Sequence, residues 1–440
     1  GLDGATFKIS YNDIDLCLKV RARGLKVIYT PYATLLHHGS ASQNVRPIEA
    51  QKAAAFQAER QTFLQRWWPA LSADPAWNPN LSLSETTPQV ESELAVTWST
   101  AFHERPRLLT LPAAGMGAAE YRNIAPLRAL HQAGKVHYTA CCQPCSGFDR
   151  APTPVELARM APDTLLIHTP VDDVRFAALQ QYATFNSNVL RIFSLDDLIT
   201  DLPQDNPTRR RLPPELMHER LRRGLAVCDR LIVSTAPLAE ACRGLIDDIR
   251  ILPNRLSLDM WGAVSARRRA GTKLRVGWAG AQQHAGDLKF LRAVVEATHR
   301  DVDWVFLGML PEGVRPLVAE AHDFVHRLNE YPAKLASLDL DLAVAPLELH
   351  PFNEAKSNLR LLEYGYLGWP VICTDILPYQ TDAPPVLRLP NDPARWIAAI
   401  RERCAERAAL VREGEALQAW VRANYILEDR LDDWLTALTR

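Results

Sequence analysis

No run of apolar residues in this sequence approaches the ~20 needed to cross a bilayer as a helix. Charge of one sign is also missing. The chain carries 50 Lys and Arg against 51 Asp and Glu, a formal net charge of −1. No nucleic-acid partner is therefore held by bulk charge, although a locally basic face is compatible with that balance. Cysteine is sparse, eight in 440 residues, too little for a disulfide framework in a chain of this size. Cys142 and Cys145 form a CxxC beside Cys141, but no second CxxC completes a four-ligand zinc site. Reduced thiols in a cytosolic loop are the plainer reading, and no metal is expected. No signal-peptide pattern follows Gly1, and no short-period repeat or low-complexity tract stands out.

What is present is an ordinary globular composition, 47% hydrophobic and 23% charged, in a chain too long for one core. Residues 1 to 45 read as one compact fragment. Residues 48 to 68, rich in Ala, Gln and Glu, predict a helix ending at Pro69. Residues 69 to 104 carry Pro, Ser, Thr and Asn without periodicity and read as a linker. From Arg107 onward short apolar runs alternate with amphipathic segments. The runs are Leu108 to Leu111, Thr164 to His168, Val189 to Phe193 and Arg230 to Ser234, separated by helical patterns such as 118 to 133 and 211 to 228. Alternation of this kind predicts βα units and a parallel sheet. The pattern pauses around Pro253, Asn254 and Trp261, passes the basic stretch Arg267, Arg268, Arg269, and restarts with LRVGWAG from Leu274. It continues through VDWVFLG (302 to 308), DLAVAPL (341 to 347) and WPVICTD (369 to 375). Two consecutive α/β lobes of about 150 residues follow from this. Residues 392 to 438 read as helical, with Trp396, Trp420 and Trp434 as anchors.

The segment richest in chemistry is NEAKSNLRLLEYGYLGWPVICTD, from Asn353 to Asp375. Ser357 or Asn358 can cap a helix, whose free N–H groups suit a phosphate. Lys356 and Arg360 are four apart, so they share one helical face and can both meet a diphosphate. Glu363, one turn on, can accept hydrogen bonds from ribose hydroxyls. Gly368 and Pro370 stop the helix, and VICT is a buried strand. A solvated helix face with i,i+4 pairing explains the same three residues without any ligand.

The order of this segment resembles the S-P-x-K-x-x-E-Y-x-x-x-G-x-P-V signature of family 4 glycosyltransferases, here Ser357, Asn358, Leu359, Arg360, then Glu363, Tyr364, Gly368, Pro370 and Val371. The resemblance implies that the basic residue faces the pyrophosphate of a nucleotide sugar and the glutamate holds its ribose. Asn358 stands where Pro is usual and Arg360 where Lys is usual. The upstream glutamate of the E-x7-E form would fall at Ala355, with Glu354 one position off. LRVGWAGAQQHAGDL is similar to the first strand and loop of the family's donor lobe, with Gly277 and Gly280 allowing close backbone approach and His284 and Asp287 at the next helix. ILPNRLSLDMW resembles the interlobe hinge, and DRLIVSTAPLAE the strand before it.

In the first lobe, PAAGMGAAEYRNIAPLRAL resembles the family's opening glycine loop and helix. Gly115 and Gly117 would face the cleft, with Tyr121 and Arg122 on the acceptor side. Arg122 is either a phosphate or sugar ligand or a plain surface arginine. His168 closes an apolar strand, where α/β sheets place ligand-facing residues, or is a satisfied core histidine. Asp196 and Asp197 follow a strand; Asp197 can take a proton from an acceptor hydroxyl, or the pair caps a helix.

Residues 7 to 40, FKISYNDIDLCLKVRARGLKVIYTPYATLLHHGS, resemble the end of a family 2 (GT-A) glycosyltransferase domain. The resemblance would make Asp13 a general base and His37 or His38 a metal-site residue. The earlier strands and the D-x-D are not in this sequence, so the fragment reads as the remnant of an upstream domain and those residues as catalytically silent.

The expected fold is α/β, of the GT-B type: two Rossmann-like lobes facing across a cleft, with a short N-terminal GT-A remnant and a helical C-terminus. The expected division is 1–68 remnant and helix, 69–104 linker, 105–255 acceptor-side lobe and 256–440 nucleotide-sugar lobe with terminal helices. The resemblance implies hexosyl or deoxyhexosyl transfer from a nucleotide-diphosphate sugar to a glycan or lipid-linked acceptor in bacterial surface polysaccharide synthesis, such as O-antigen or capsule. No cofactor and no metal are implied, and the protein would be cytoplasmic or peripheral at the inner membrane. Catalysis would fall to Lys356, Arg360, His168 and Asp197. Sugar-donor binding would fall to Gly280, His284, Lys356, Ser357, Asn358, Arg360 and Glu363, and the acceptor side to Gly117, Tyr121 and Arg122. A non-catalytic GT-B-like scaffold that binds glycan or a partner enzyme is the alternative.

Overall fold

The computed structural model describes residues 1–34, 50–83, 87–92, 94, 96–111, 117–141, 151–168, 173–204, 206, 209, 213–267, 271, 273–281, 284, 286–325 and 327–440. Gly115, His37, His38, Cys142, Cys145, Arg268 and Arg269 lie outside these residues. The chain divides into two compact units, residues 1–90 with 153–159, and residues 91–152 with 160–440.

In the first unit, helix Asn12–Ala22 and helix Ala50–Ser72 are joined by a buried charge. Asp15 is fully buried and bonds Lys19 at 2.5 Å, Arg66 at 2.9 Å and the Trp67 indole at 2.9 Å. Glu59 accepts from the backbone amides of Lys8, Ile9 and Ser10. Tyr11 stacks on Phe63 at 4.9 Å. Asp13 is exposed and bonds only its neighbour's amide among the described residues. The second helix runs past Pro69 to Ser72, against the expected stop. Proline so near a C-terminus costs one i→i−4 bond, and the final turn survives that loss.

Among the described residues the larger unit holds two six-stranded sheets, every strand pair parallel. The first sheet contains β1 (Arg107–Leu111), β2 (His137–Ala140), β3 (Thr164–His168), β4 (Leu190–Leu195), β5 (Arg230–Val233) and β6 (Ile249–Ile251), in the order β2-β1-β3-β4-β5-β6. The second contains β7 (Leu274–Gly280), β8 (Val302–Gly308), β9 (Glu320–His322), β10 (Leu342–Ala345), β11 (Val371–Thr374) and β12 (Leu387–Leu389), in the order β12-β11-β10-β7-β8-β9. Central strands such as β3, β4 and β7 are buried along their whole length, as continuous apolar runs in a parallel sheet must be. Part of the stretch expected as a linker packs on the first lobe: the buried Trp98 donates to the Met160 carbonyl at 2.7 Å, and Thr97 to Tyr138 at 2.7 Å.

The chain crosses between lobes twice. Leu256 and Ile426 form a parallel bridge, with Leu256 N–H on the Tyr425 carbonyl and Leu427 N–H on that of Leu256. The last helix, Leu431–Leu438, then returns to the first lobe. There Leu431, Trp434 and Leu438 share one core with Leu108, Leu130 and Ile192. Arg230 holds the end of that helix through the Ala437 and Thr439 carbonyls. Replacing Trp434, which is 2% exposed, by Ala should therefore destabilise the protein by about 3 to 5 kcal/mol. Replacing the half-buried Trp420 should cost less than half as much, both read from urea unfolding; equal losses would show that the terminal helix does not complete the first core.

Candidate active site

The ends of β7 and β10 and the segment after β10 build one wall of the site. Helix Pro351–Glu354 is capped by the His350 side chain, and helix Leu359–Tyr366 begins after a four-residue turn. Lys356 lies in that turn, so it does not share a helix with Arg360, and the spacing of four is not a helical repeat. The turn is held open from outside: Asn254 donates to Ser357 Oγ at 2.9 Å. Asn358 occupies the N-cap position without a side-chain bond to the helix, so neither it nor Ser357 caps as expected. Gly368, at φ +75°, ends the helix as expected.

Arg360 extends to the end of β7. A Cβ on Gly280 would lie 3.2 Å from Arg360 Nη1 and 2.5 Å from the Trp278 indole, so only glycine fits beside them. The guanidinium stands over Trp278 at 5.3 Å and its Nη2 is 3.3 Å from His284 Nε2. His284 Nδ1 is 2.7 Å from Asp287, which also accepts from the Glu348 amide and the Asn353 side chain. With Asp287 ionised, Nδ1 carries the proton and the Nε2 lone pair faces Arg360. Burial, the Lys356 charge and Arg360 push His284 down to about 4, so the ring is neutral at pH 7. Arg360 Nη1 is buried and has no partner among the described residues. A cation with a free, desolvated N–H at the carboxyl edge of a parallel sheet suits an anionic ligand.

The first lobe supplies the facing wall from the ends of β3 and β4. His168 is buried, with Nε2 3.1 Å from Asp196. Burial works against the charge on Asp196, but the His168 hydrogen bond and Arg122 keep its carboxyl below the usual range. Burial and Asp196 push Asp197 up to about 6, against the pull of Lys356 and His168. The Lys356 charge thus acts on Asp197 of one lobe and on His284 and Asp287 of the other. Lys356 Nζ lies 4.6 Å from the Phe352 ring.

Glu363 takes a different direction from Arg360. It is 6% exposed, and each carboxylate oxygen accepts one phenol: Tyr121 of the first lobe at 2.9 Å and Tyr331 of its own at 3.0 Å. Tyr121 sits on a π-helical turn, Glu120–Ile124, between α-helical Gly117–Ala119 and Ala125–Gln132. The wider turn buries three successive side chains. Tyr121 enters the core of the second lobe, Arg122 reaches the Leu252 carbonyl and Asn254, and Asn123 reaches Thr110. Arg122 is fully buried, so the surface-arginine reading is wrong; burial lowers it to about 10 and it packs 5.3 Å from Trp434. Gly117 lies beside Leu328 of the opposite lobe.

The lobes also meet through Thr235, which donates to the Ala355 carbonyl at 2.7 Å. Ala355 itself is buried in an apolar cluster with Phe193, Leu195 and Leu238 of the first lobe. That placement explains the missing upstream glutamate, since a carboxylate there would enter an apolar seam. Glu354 instead accepts the Leu377 amide. Tyr331, Asn353 and Thr235 have no role legible in the sequence, although the last two lie in segments singled out there; they join the site through tertiary contacts. Among the described residues no group of His, Cys, Asp and Glu has the geometry to hold a metal ion.

No family profile matches the chain. Over 83 residues, 19% of its length, it is 45% identical to the uncharacterized protein y4gI of Sinorhizobium fredii. Over 81 residues, 18% of its length, it is 35% identical to the O-antigen biosynthesis protein RfbC of Myxococcus xanthus. These stretches span 9% and 6% of the two relatives. Among solved structures, the sucrose-phosphate synthase of Thermosynechococcus elongatus superposes with a TM-score of 0.52 over 75% of this chain and 97% of that one, at 14% identity. TarM superposes at 0.46 over 63% of this chain and 55% of its own, at 11% identity. The likeness at 0.52 is one of fold: the two facing Rossmann-like lobes have the GT-B arrangement.

The two shifted groups at the cleft give opposite pH dependences. Below pH 6.5 the unfolded chain protonates His284 and the folded one does not until about 4, so stability falls with pH, by about 3 kcal/mol in all. Asp197 keeps its proton in the fold up to about pH 6 and releases it near 3.8 when unfolded, so its contribution is present in acid and lost as pH rises between those values. In the parent the two offset each other. Asp197→Asn should make the melting temperature fall more steeply from pH 6.5 to 4.5, and His284→Gln less steeply; parallel profiles for the two variants would refute these assignments.

Proposed function

We propose that this chain is a glycosyltransferase that moves a hexosyl or deoxyhexosyl group from a nucleotide-diphosphate sugar to a glycan or lipid-linked acceptor. The observation that carries the reading is the desolvated Arg360 guanidinium at the end of β7, with an unpaired Nη1 and the Lys356 charge acting on the same His284. Breaking the bond between a sugar and a nucleoside diphosphate builds negative charge on the departing phosphate. Arg360 and Lys356 stabilise that charge, and the neutral His284, oriented by Asp287, holds Arg360 in place without competing for it. In the first lobe, Asp197 at about 6 is matched to accepting a proton from an acceptor hydroxyl near neutral pH, with His168 and Asp196 beside it. Glu363 is the group for the ribose, and the lobe of residues 105–255 takes the acceptor while 256–440 takes the nucleotide sugar.

The local identity to an O-antigen biosynthesis protein supports a place in bacterial surface polysaccharide assembly. No helix among the described residues is long and apolar enough to cross a membrane, which fits a cytoplasmic enzyme or one peripheral at the inner membrane. The motif of residues 7 to 40 supports reading residues 1–68 as the end of a GT-A domain; there Asp15 is spent on Arg66 and Trp67. One observation favours the non-catalytic scaffold instead: Ala355 fills an apolar seam where family 4 enzymes carry a carboxylate.

Calorimetry against UDP, GDP, dTDP and CMP, followed by donor hydrolysis with the matching sugar nucleotide, separates the readings. A nucleotide should bind, Glu363→Ala should weaken it by about 1 to 3 kcal/mol, and Arg360→Ala should reduce turnover more than nucleoside affinity. Binding without any turnover would favour the scaffold, and no binding at all would reject both the site and the reaction.

A further inference from the structure

The carboxylate proposed for the ribose is closed off in this structure. Glu363 is 6% exposed and each of its oxygens already accepts a phenol. Its two partners are not equivalent. Tyr331 opens helix Tyr331–Ala336 of the second lobe and moves with Glu363. Tyr121 comes from the first lobe, on the π-helical turn that directs its ring into the core of the second. Rotation of one lobe against the other therefore separates Glu363 from Tyr121 and leaves Tyr331 in place. Two further bonds would part with it, Thr235 to the Ala355 carbonyl and Asn254 to Ser357. The lobes are apposed through these three bonds and through the apolar seam of Ala355 with Phe193, Leu195 and Leu238.

We infer that Tyr121 is a latch, a positioning residue whose hydroxyl occupies Glu363 while the lobes are apposed and is exchanged for a ribose hydroxyl when a nucleotide enters. This rests on the ribose-binding reading of Glu363 given above. The exchange is balanced in hydrogen bonds. Glu363 gives up one O–H donor from a phenol and gains one from the sugar, so the carboxylate is never left buried and unpaired, which would be costly. Tyr121 also links the lobes energetically. A ligand that binds only the open form is weakened in proportion to the scarcity of that form. Removing the Tyr121 hydroxyl leaves the ring packed but removes the bond that favours closure.

The test compares Tyr121→Phe with Tyr331→Phe, which removes the same kind of bond from the same carboxylate within one lobe. Hydrogen–deuterium exchange on the protein without ligand should show faster exchange at residues 353–358 in Tyr121→Phe than in the parent, and no change there in Tyr331→Phe. The nucleotide that binds the parent best in calorimetry should bind Tyr121→Phe about tenfold more tightly, the effect of a charged hydrogen bond at the low end of its usual range. Tyr331→Phe should bind as the parent does or more weakly. A Tyr121→Phe protein that binds the nucleotide no better than the parent overturns the latch, as does equal tightening in both variants, while parental binding keeps the glycosyltransferase reading intact. If the parent and both variants bind none of the four nucleotides, the reading of the site fails and the latch with it.

Discussion

A carboxylate buried between two lobes has to find hydrogen-bond donors, and Glu363 finds one in each. An ionised side chain at this depth is costly unless both oxygens are satisfied. Tyr331 meets part of that demand from within the second lobe, and Tyr121 meets the rest from the first. To reach it, the first helix of the chain's Rossmann-like half widens to a π turn, and that turn decides where Arg122 and Asn123 go as well. Arg122 then ties the start of the interlobe connection at Leu252 and Asn254, and Asn254 ties Ser357 in the turn that carries Lys356. One buried carboxylate is thus tied to both lobes.

On the second lobe a different hub orders the charges. Asp287 accepts from His284, Asn353 and the Glu348 amide, so it fixes the loop after β7 and the segment after β10 with one side chain. By accepting the hydrogen bond from His284 Nδ1–H it leaves Nε2 as the acceptor facing Arg360. Burial together with two nearby cations keeps that ring neutral. On this side Arg360 is held by a neutral ring rather than by a carboxylate, while its charge and that of Glu363 act on each other.

The crossover at the C-terminus explains how two lobes with separate sheets stay one unit. The last helix buries Trp434 and Leu438 in the first core, while residues just before it pair with Leu256 in the connection. The second lobe is thus held between two strands of chain that run to the first, one at 252–257 and one at 425–431.

The central strands were legible from the sequence. Apolar runs such as TLLIH and LRVGWAG are buried on both faces, and hydrophobic composition alone selects such a position. The edge strands β2, β6, β9 and β12, three or four residues long and half-exposed, carry no such pattern and were missed. The order of elements, and with it the fold class, followed from that alternation. Within the site, Arg360 and Glu363 were visible as residue types at a meaningful spacing, and His284 and Gly280 through the resemblance of their segment to a donor-lobe strand and loop. Which residues touch was not visible, because the contacting pairs that cross the fold lie tens to hundreds of positions apart: Tyr121 is 242 residues from Glu363, and His284 is 76 from Arg360. Spacing also misled at Lys356, where Asn254 from the other lobe holds Ser357 and the helix begins only at Leu359. Local sequence determined which residues carry charge and which strands are buried. Only the packing of one lobe on the other decided that Arg122 is internal, that Ala355 must be apolar and that Glu363 is already occupied, since burial and hydrogen bonding at those positions depend on surfaces contributed by a distant part of the chain.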